Sequence, residues 1–248
     1  MTDPTESRTH SRTGTDADTE SLERALERLE VNFEVLSQSL TAADVSADDQ
    51  RHLFESVAGA VQDAFAETAG GHWEINTHSG GQITPFEPDP DAIALVDIAH
   101  ALSNLSRFAG QGTHFYSVAR HAIHVSHEVA ARDGSLEAQR WGLLHDASEA
   151  YFADVPAPVK RSLPGYTHAE KRFQETVKTA FDLSLEPDDV RLVDAVDSAV
   201  GRFELATHFG ESQFDRPALA VKPADLEWDD AKTAFLERAQ GLNIEDTR

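Results

Sequence analysis

The chain has 248 residues, no cysteine, and 44 acidic against 21 basic side chains, for a formal charge of -23. Without thiols, disulfides and thiolate-bound metals are excluded, so any metal must be held by histidine and carboxylate. A charge of this sign makes a long nucleic-acid strand a poor partner. It also destabilises a compact chain at low ionic strength, which reads as a salt-rich, halophile-type cytosol or, alternatively, as a surface for a basic partner.

Residues 1–20 hold almost nothing apolar and are expected to form a disordered acidic tail. The N-terminus lacks the apolar stretch of a secretory leader, and no run reaches the ~20 apolar residues of a membrane span. The expectation is a cytoplasmic protein with no membrane partner. Residues 21–70 read as a helical hairpin. Leu22, Leu26, Leu29, Phe33, Leu36 and Leu40 repeat at spacings of four and three, and Leu53, Val57, Val61 and Phe65 carry a second stripe. Ser46 and Asp49 form a capping-box-like start for the second helix. The stripe either packs on the main domain or serves a partner.

Residues 71–240 form the main expected domain, with 241–248 as a C-terminal tail. Trp73 to Phe86 reads as a small β-hairpin around Gly80-Gly81. Pro85, Pro88 and Pro90 then bar helix until about Asp91. Five helices follow. Ile98, Leu102 and Leu105 mark one ending near Gly110. Phe115, Val118, Ala122, Val125 and Val129 mark the next, stopped at Asp133-Gly134. Trp141, Leu144 and Ser148 mark a third, broken by Pro156 and Pro158. Phe173, Val177 and Phe181 mark a fourth. Val193, Val196, Val200 and Phe203 mark a fifth, opened by Pro187. Residues 210–227 read as loop and Ala231 to Gln240 as a short last helix. The fold class is all-α.

The chemistry is concentrated in LLHDASEAYFADVPAPVK, Leu143 to Lys160. His145-Asp146 follows two leucines on an apolar helix, where polar groups are costly unless paired or coordinated. Imidazole nitrogen with carboxylate oxygen suits a hard or borderline divalent ion. Glu149 is expected one turn further along the same side, and Asp154 follows where the helix breaks. Asp197, within an apolar helical stripe, is the candidate further ligand, with Asp194 one turn earlier as its alternative. His121 heads a helix that also carries His124 and His127.

The order His121, His145-Asp146, Asp197 resembles the HD-domain metal-dependent phosphohydrolases, and most closely their 5'-deoxynucleotidase-like branch. The stretches that carry the resemblance are LSNLSRFAGQGTHFYSVARHAIHVS, LLHDASEAYFADVPAPVK and VDAVDSAVGRFE, within residues 73–209. The resemblance implies an HD-type helical bundle around one divalent ion (Co, Mn or Mg, with Zn or Ni as alternatives). It implies His121, His145, Asp146 and Asp197 as ligands, and Glu149 and Asp154 as the acid/base pair, with their two roles interchangeable. It implies removal of the 5'-phosphate from (deoxy)nucleoside monophosphates by metal-activated water. Homodimers are frequent among such proteins.

Arg107 matches a phosphate- or substrate-binding arginine. Phe108 stands where the deoxynucleotidases carry a bulky tryptophan that helps to exclude a ribose 2'-hydroxyl, which leaves the sugar preference open. The dianionic phosphate needs further positive charge. His114, seven residues before His121, and Lys160, at the end of the PxPxK turn, are the candidates. The alternatives are a helix cap for His114 and a solvated loop cation for Lys160. His124 and His127 are expected at the surface or behind the ligands, and Glu204 as a structural ion-pair partner. The competing functions are hydrolysis of nucleoside triphosphates or cyclic nucleotides, and a non-catalytic metal-binding scaffold.

Overall fold

The computed structural model describes residues 16–42, 45–69, 71–210, 214–226 and 230–246. Residues 1–15, most of the expected tail, lie outside these. The chain divides into two units, Met1–Leu53 and Phe54–Arg248, a break that falls inside a helix rather than at residue 70. The first unit holds α1 (Asp16–Ala42) and the start of α2 (Ala47–Ala69). Helix α1 thus opens within the stretch expected as tail. At the start of α2, Ser46 Oγ accepts from the Asp49 amide at 3.1 Å, the N-cap half of the capping-box-like start, while the Asp49 carboxylate accepts from the Ser46 hydroxyl at 2.7 Å.

In the second unit, β1 (Ile75–Asn76) and β2 (Gln82–Ile83) pair antiparallel, with Ile75 opposite Ile83. Their turn is closed by Thr77 and Gly81, and Gly80 adopts the positive φ (+92°) that glycine tolerates. Eight further helices follow: α3 (Leu95–Asn104), α4 (Val118–Ala131), α5 (Leu136–Leu144), α6 (Glu149–Phe152), α7 (Ala157–Lys160), α8 (Pro164–Ala180), α9 (Pro187–Phe209) and α10 (Ala231–Gly241). The described chain is therefore mostly helical with one small hairpin, as expected.

Helix α4 is the core element and packs on α3, α5, α9 and α10. Val118, Ala122, Val125 and Val129 are fully buried on it. They meet Leu143 and Leu144 of α5, Val196 and Val200 of α9, and Phe235 of α10. Each such side chain contributes about 1.5–3 kcal/mol by leaving water. Gly142 lets α5 approach closely, since a Cβ there would lie 3.2 Å from Ser126 Cα. That close approach brings the end of α5 against α4.

Four boundaries differ from the expectation, and two of them shape the site. Helix α3 ends at Asn104, well before Gly110. Leu105 turns extended (φ -81°, ψ 125°), and residues 105–107 run antiparallel to 116–118. Their bonds are Val118 N to Leu105 O at 3.0 Å and Arg107 N to Tyr116 O at 2.8 Å. Helix α4 consequently starts at Val118, where Ser117 caps it, so His114 lies in a loop and not one helical face ahead of His121. The third expected helix is two, α5 and α6. Between them His145 to Ser148 tighten into i to i-3 hydrogen bonds, with Ala147 N to Leu144 O and Glu149 N to Asp146 O both at 2.9 Å. Finally, the described part of the expected C-terminal tail is docked. Leu242 and Ile244 are buried, and the Asp246 carboxylate accepts from the Leu95 amide at 2.7 Å.

Candidate metal centre

Three elements meet at one point: α4 supplies His121, the tight turn after α5 supplies His145 and Asp146, and α9 supplies Asp197. His121 falls on the buried stripe of α4 and is 0 % exposed. His145 extends α5 by one residue, and Asp146 emerges because the chain tightens there. One donor atom from each of His121, His145 and Asp146 lies within 4.8 Å of the others. Asp197 Oδ1 is 2.9 Å from His121 Nε2 and 3.8 Å from His145 Nε2. Its side chain is 43 % exposed, so it borders the opening and is less enclosed than its apolar helix suggested. Asp194, the alternative, is exposed and outside the cluster.

The donor set fits a divalent cation on the state of His145. Its Nδ1 lies 3.0 Å from the Gly142 carbonyl, which can only accept, so Nδ1 carries the proton. The lone pair of Nε2 then points inward. That atom is buried without a hydrogen-bond partner among the described residues and faces Asp146 Oδ2 at 3.3 Å. A lone pair aimed at a carboxylate oxygen is unfavourable unless positive charge lies between them. Without a cation, protons fill that role. Burial alone would lower both imidazoles. Asp146 and Asp197 nevertheless hold His145 above its ordinary value, and Glu204 with Asp197 push His121 up to about 10 against burial and Arg107. Asp197, although partial burial works the other way, is held far below the carboxylate range by the two imidazoles.

Around this cluster stand the other expected residues. Arg107 is largely buried, with Nε 3.0 Å from Glu204 Oε2 and Nη1 3.7 Å from Asp146 Oδ2. It therefore sits beside the ligands. Phe108 follows in a left-handed conformation (φ 60°, ψ 29°), and its ring packs against His208 and Phe209. His114 is exposed, with its ring 4.5 Å from that of His208.

Glu149 opens α6 and is buried. Its Oε1 accepts from Lys160 Nζ at 3.1 Å, while its Oε2 has no hydrogen-bond partner among the described residues. Burial, then Asp146 and Asp154, raise its pKa well above the ordinary value. Lys160 is not a free loop cation. It also donates to Glu170 at 2.6 Å, so its charge is shared by two carboxylates. Asp154 follows Ala153, whose backbone (φ 66°, ψ 160°) lies where almost only glycine is found. Burial raises the Asp154 pKa, and Arg107, Asp146 and His121 all act on it electrostatically.

His124 is not a surface residue. It is 1 % exposed and bonds the Val221 carbonyl at 3.0 Å. The nearby Glu128 carboxylate accepts from the Ala220 and Val221 amides. Together they tie the 214–226 segment to α4. Glu204 is more than a structural partner, since it meets His121 Nδ1 at 3.0 and 3.1 Å as well as Arg107. Its position, seven residues after Asp197, places both on one face of α9, a signal present in the sequence. Glu170, the second partner of Lys160, and Tyr116, whose hydroxyl bonds Glu204, carry no such signal.

No family model matches the chain. The uncharacterized protein YfdR of Escherichia coli (strain K12) is 41% identical over 109 residues, 44% of this chain and 58% of that protein. The chain thus spans less than two thirds of that relative's length. An uncharacterized protein of Rhodobacter capsulatus is 33% identical over 153 residues, 58% of this chain and 78% of that protein.

Proposed function

The chain belongs to the family of the Rhodobacter capsulatus protein, and from its His/Asp centre we propose a metal-dependent phosphohydrolase of the HD-domain type. Its substrates are (deoxy)nucleoside 5'-monophosphates. The observation that carries this reading is the juxtaposition of three things: an inward, unpartnered imidazole lone pair on His145, a guanidinium beside Asp146, and a buried carboxylate on Glu149 with one free oxygen. His121, His145, Asp146 and Asp197 would hold the ion. When bound, a divalent ion supplies polarisation of a phosphoryl oxygen and acidification of water.

The chain's own groups do the rest. Arg107 binds the phosphate through the guanidinium edge that Glu204 leaves free. Glu149 receives the proton of the attacking water on Oε2, the oxygen that Lys160 does not occupy. Lys160 orients Glu149 and offsets its charge, a different role from direct phosphate binding. Asp154, held in the strained bend after α6, supplies a proton to the leaving oxygen. Phe108 borders Arg107 and shapes the sugar side.

The test is phosphate release from a panel of deoxy- and ribonucleoside 5'-monophosphates with Co(II), Mn(II), Mg(II) or EDTA, beside Asp146→Ala. The expected result is metal-dependent release that falls at least ~100-fold in the variant, since the ligand is lost outright. Silence of the metal-loaded protein on every monophosphate would sink the reading.

A further inference from the structure

Glu204 is 3 % exposed and meets His121 at Nδ1, the ring nitrogen opposite the one that faces Asp146 and Asp197. A carboxylate so buried is costly unless every lone pair finds a donor or a positive charge. The Tyr116 hydroxyl bonds it, and two further neighbours are site residues. Oε1 and Oε2 lie 3.0 and 3.1 Å from His121 Nδ1, and Oε2 lies 3.0 Å from Arg107 Nε. A carboxylate accepts only, so Nδ1 of His121 carries a proton whatever occupies the other side of the ring, and Nε2 is left as the ligand atom. The same carboxylate pairs with the guanidinium by charge at its inner nitrogen, which makes no hydrogen bond among the described residues, while Nη1 lies 3.7 Å from Asp146 Oδ2.

We propose that Glu204 is a positioning residue that acts in two ways. It sets the tautomer and ring orientation of His121, and it keeps Arg107 from collapsing onto Asp146. The second effect follows from the distances. With Glu204 neutral, Asp146 is the carboxylate nearest the guanidinium among those its ion pairs involve. A released Arg107 then competes with the cation for Asp146. One side chain on α9 thereby couples the ligand from α4, the ligand from the turn after α5, and the phosphate-binding arginine.

This inference rests on the metal-site part of the proposed function but not on the substrate. The experiment is Mn(II) titration calorimetry of the full chain, for wild type, Glu204→Gln and the double variant Arg107→Met with Glu204→Gln. The double variant removes both buried charges at once, so it stays folded where the single change leaves Arg107 unpaired. Glu204→Gln is expected to bind Mn(II) about 10–100-fold more weakly, the usual cost of losing a group behind a metal-bound imidazole. The double variant is expected to recover part of the loss, the part due to Arg107, while staying clearly weaker than wild type. Wild-type affinity in either variant overturns the proposal. A protein that shows this affinity pattern yet releases no phosphate from any nucleotide keeps the Glu204 assignment and loses only the phosphohydrolase reading.

Discussion

Single side chains in this protein are governed by what faces them across helices. His145 turns Nε2 toward the cluster because Nδ1 donates to the Gly142 carbonyl one turn earlier, and across helices that nitrogen meets Asp197. Glu149 keeps one free oxygen because Lys160 covers the other. His127 shows the same rule away from the chemistry: burial, then Arg238 and His124, lower its pKa to about 4. Its folded value is depressed below that of the unfolded chain, so the unfolded state binds the extra proton between these values. Stability from this residue is present above about pH 6.5 and is lost as pH falls toward 4. The expected outcome is that His127→Gln flattens the fall in melting temperature between pH 7 and pH 5, read by circular dichroism. An unchanged slope would show that other groups set the acid limb.

At the scale of elements, the short pieces matter more than the long helices. The turn from His145 to Ser148 tightens to i to i-3 bonds and so projects Asp146 toward α4. After α6, Ala153 bends the chain through a backbone region that costs about 1–3 kcal/mol for a residue with a Cβ. The bend delivers Asp154. Ala153→Gly removes the clash, against about 0.4–1 kcal/mol of added unfolded-state entropy. The net expectation is a gain on the order of 1 kcal/mol in urea denaturation. A loss of stability would mean that the bend relaxes without glycine.

Over the whole molecule, the charge of -23 is the dominant fact. Few cations are available, and at the candidate centre they are shared: Arg107 serves Glu204 and Asp146, and Lys160 serves Glu149 and Glu170. Exposed like charges elsewhere repel over a screening length that shrinks from ~10 Å at 0.1 M salt to ~3 Å at 1 M. The melting temperature is therefore expected to rise from ~0.1 M to ~1 M KCl, measured by scanning calorimetry. A flat or falling profile would show that self-repulsion does not limit stability. None of the described helices is long and apolar enough to cross a membrane.

The sequence by itself determined the helical class, the hairpin around Gly80-Gly81 and the buried stripes of α4 and α9. The physical reason is that periodicity and turn chemistry are local. It also singled out His145, Asp146 and Asp197, because polar groups beside apolar stripes must be coordinated or paired, and His121 through the resemblance to the HD-domain proteins. Tertiary structure alone decided where α3 and α5 end and where α4 begins, since strand-like pairing of 105–107 with 116–118 and the tight turn at His145 override local helical preference. Only the fold could show that Lys160 is tied to Glu170, ten residues away, that His124 is buried beneath the 214–226 segment, and that Glu204 stands behind both His121 and Arg107. Those facts depend on which helix faces which: the seven-residue spacing puts Glu204 on the face of Asp197, but not what that face meets.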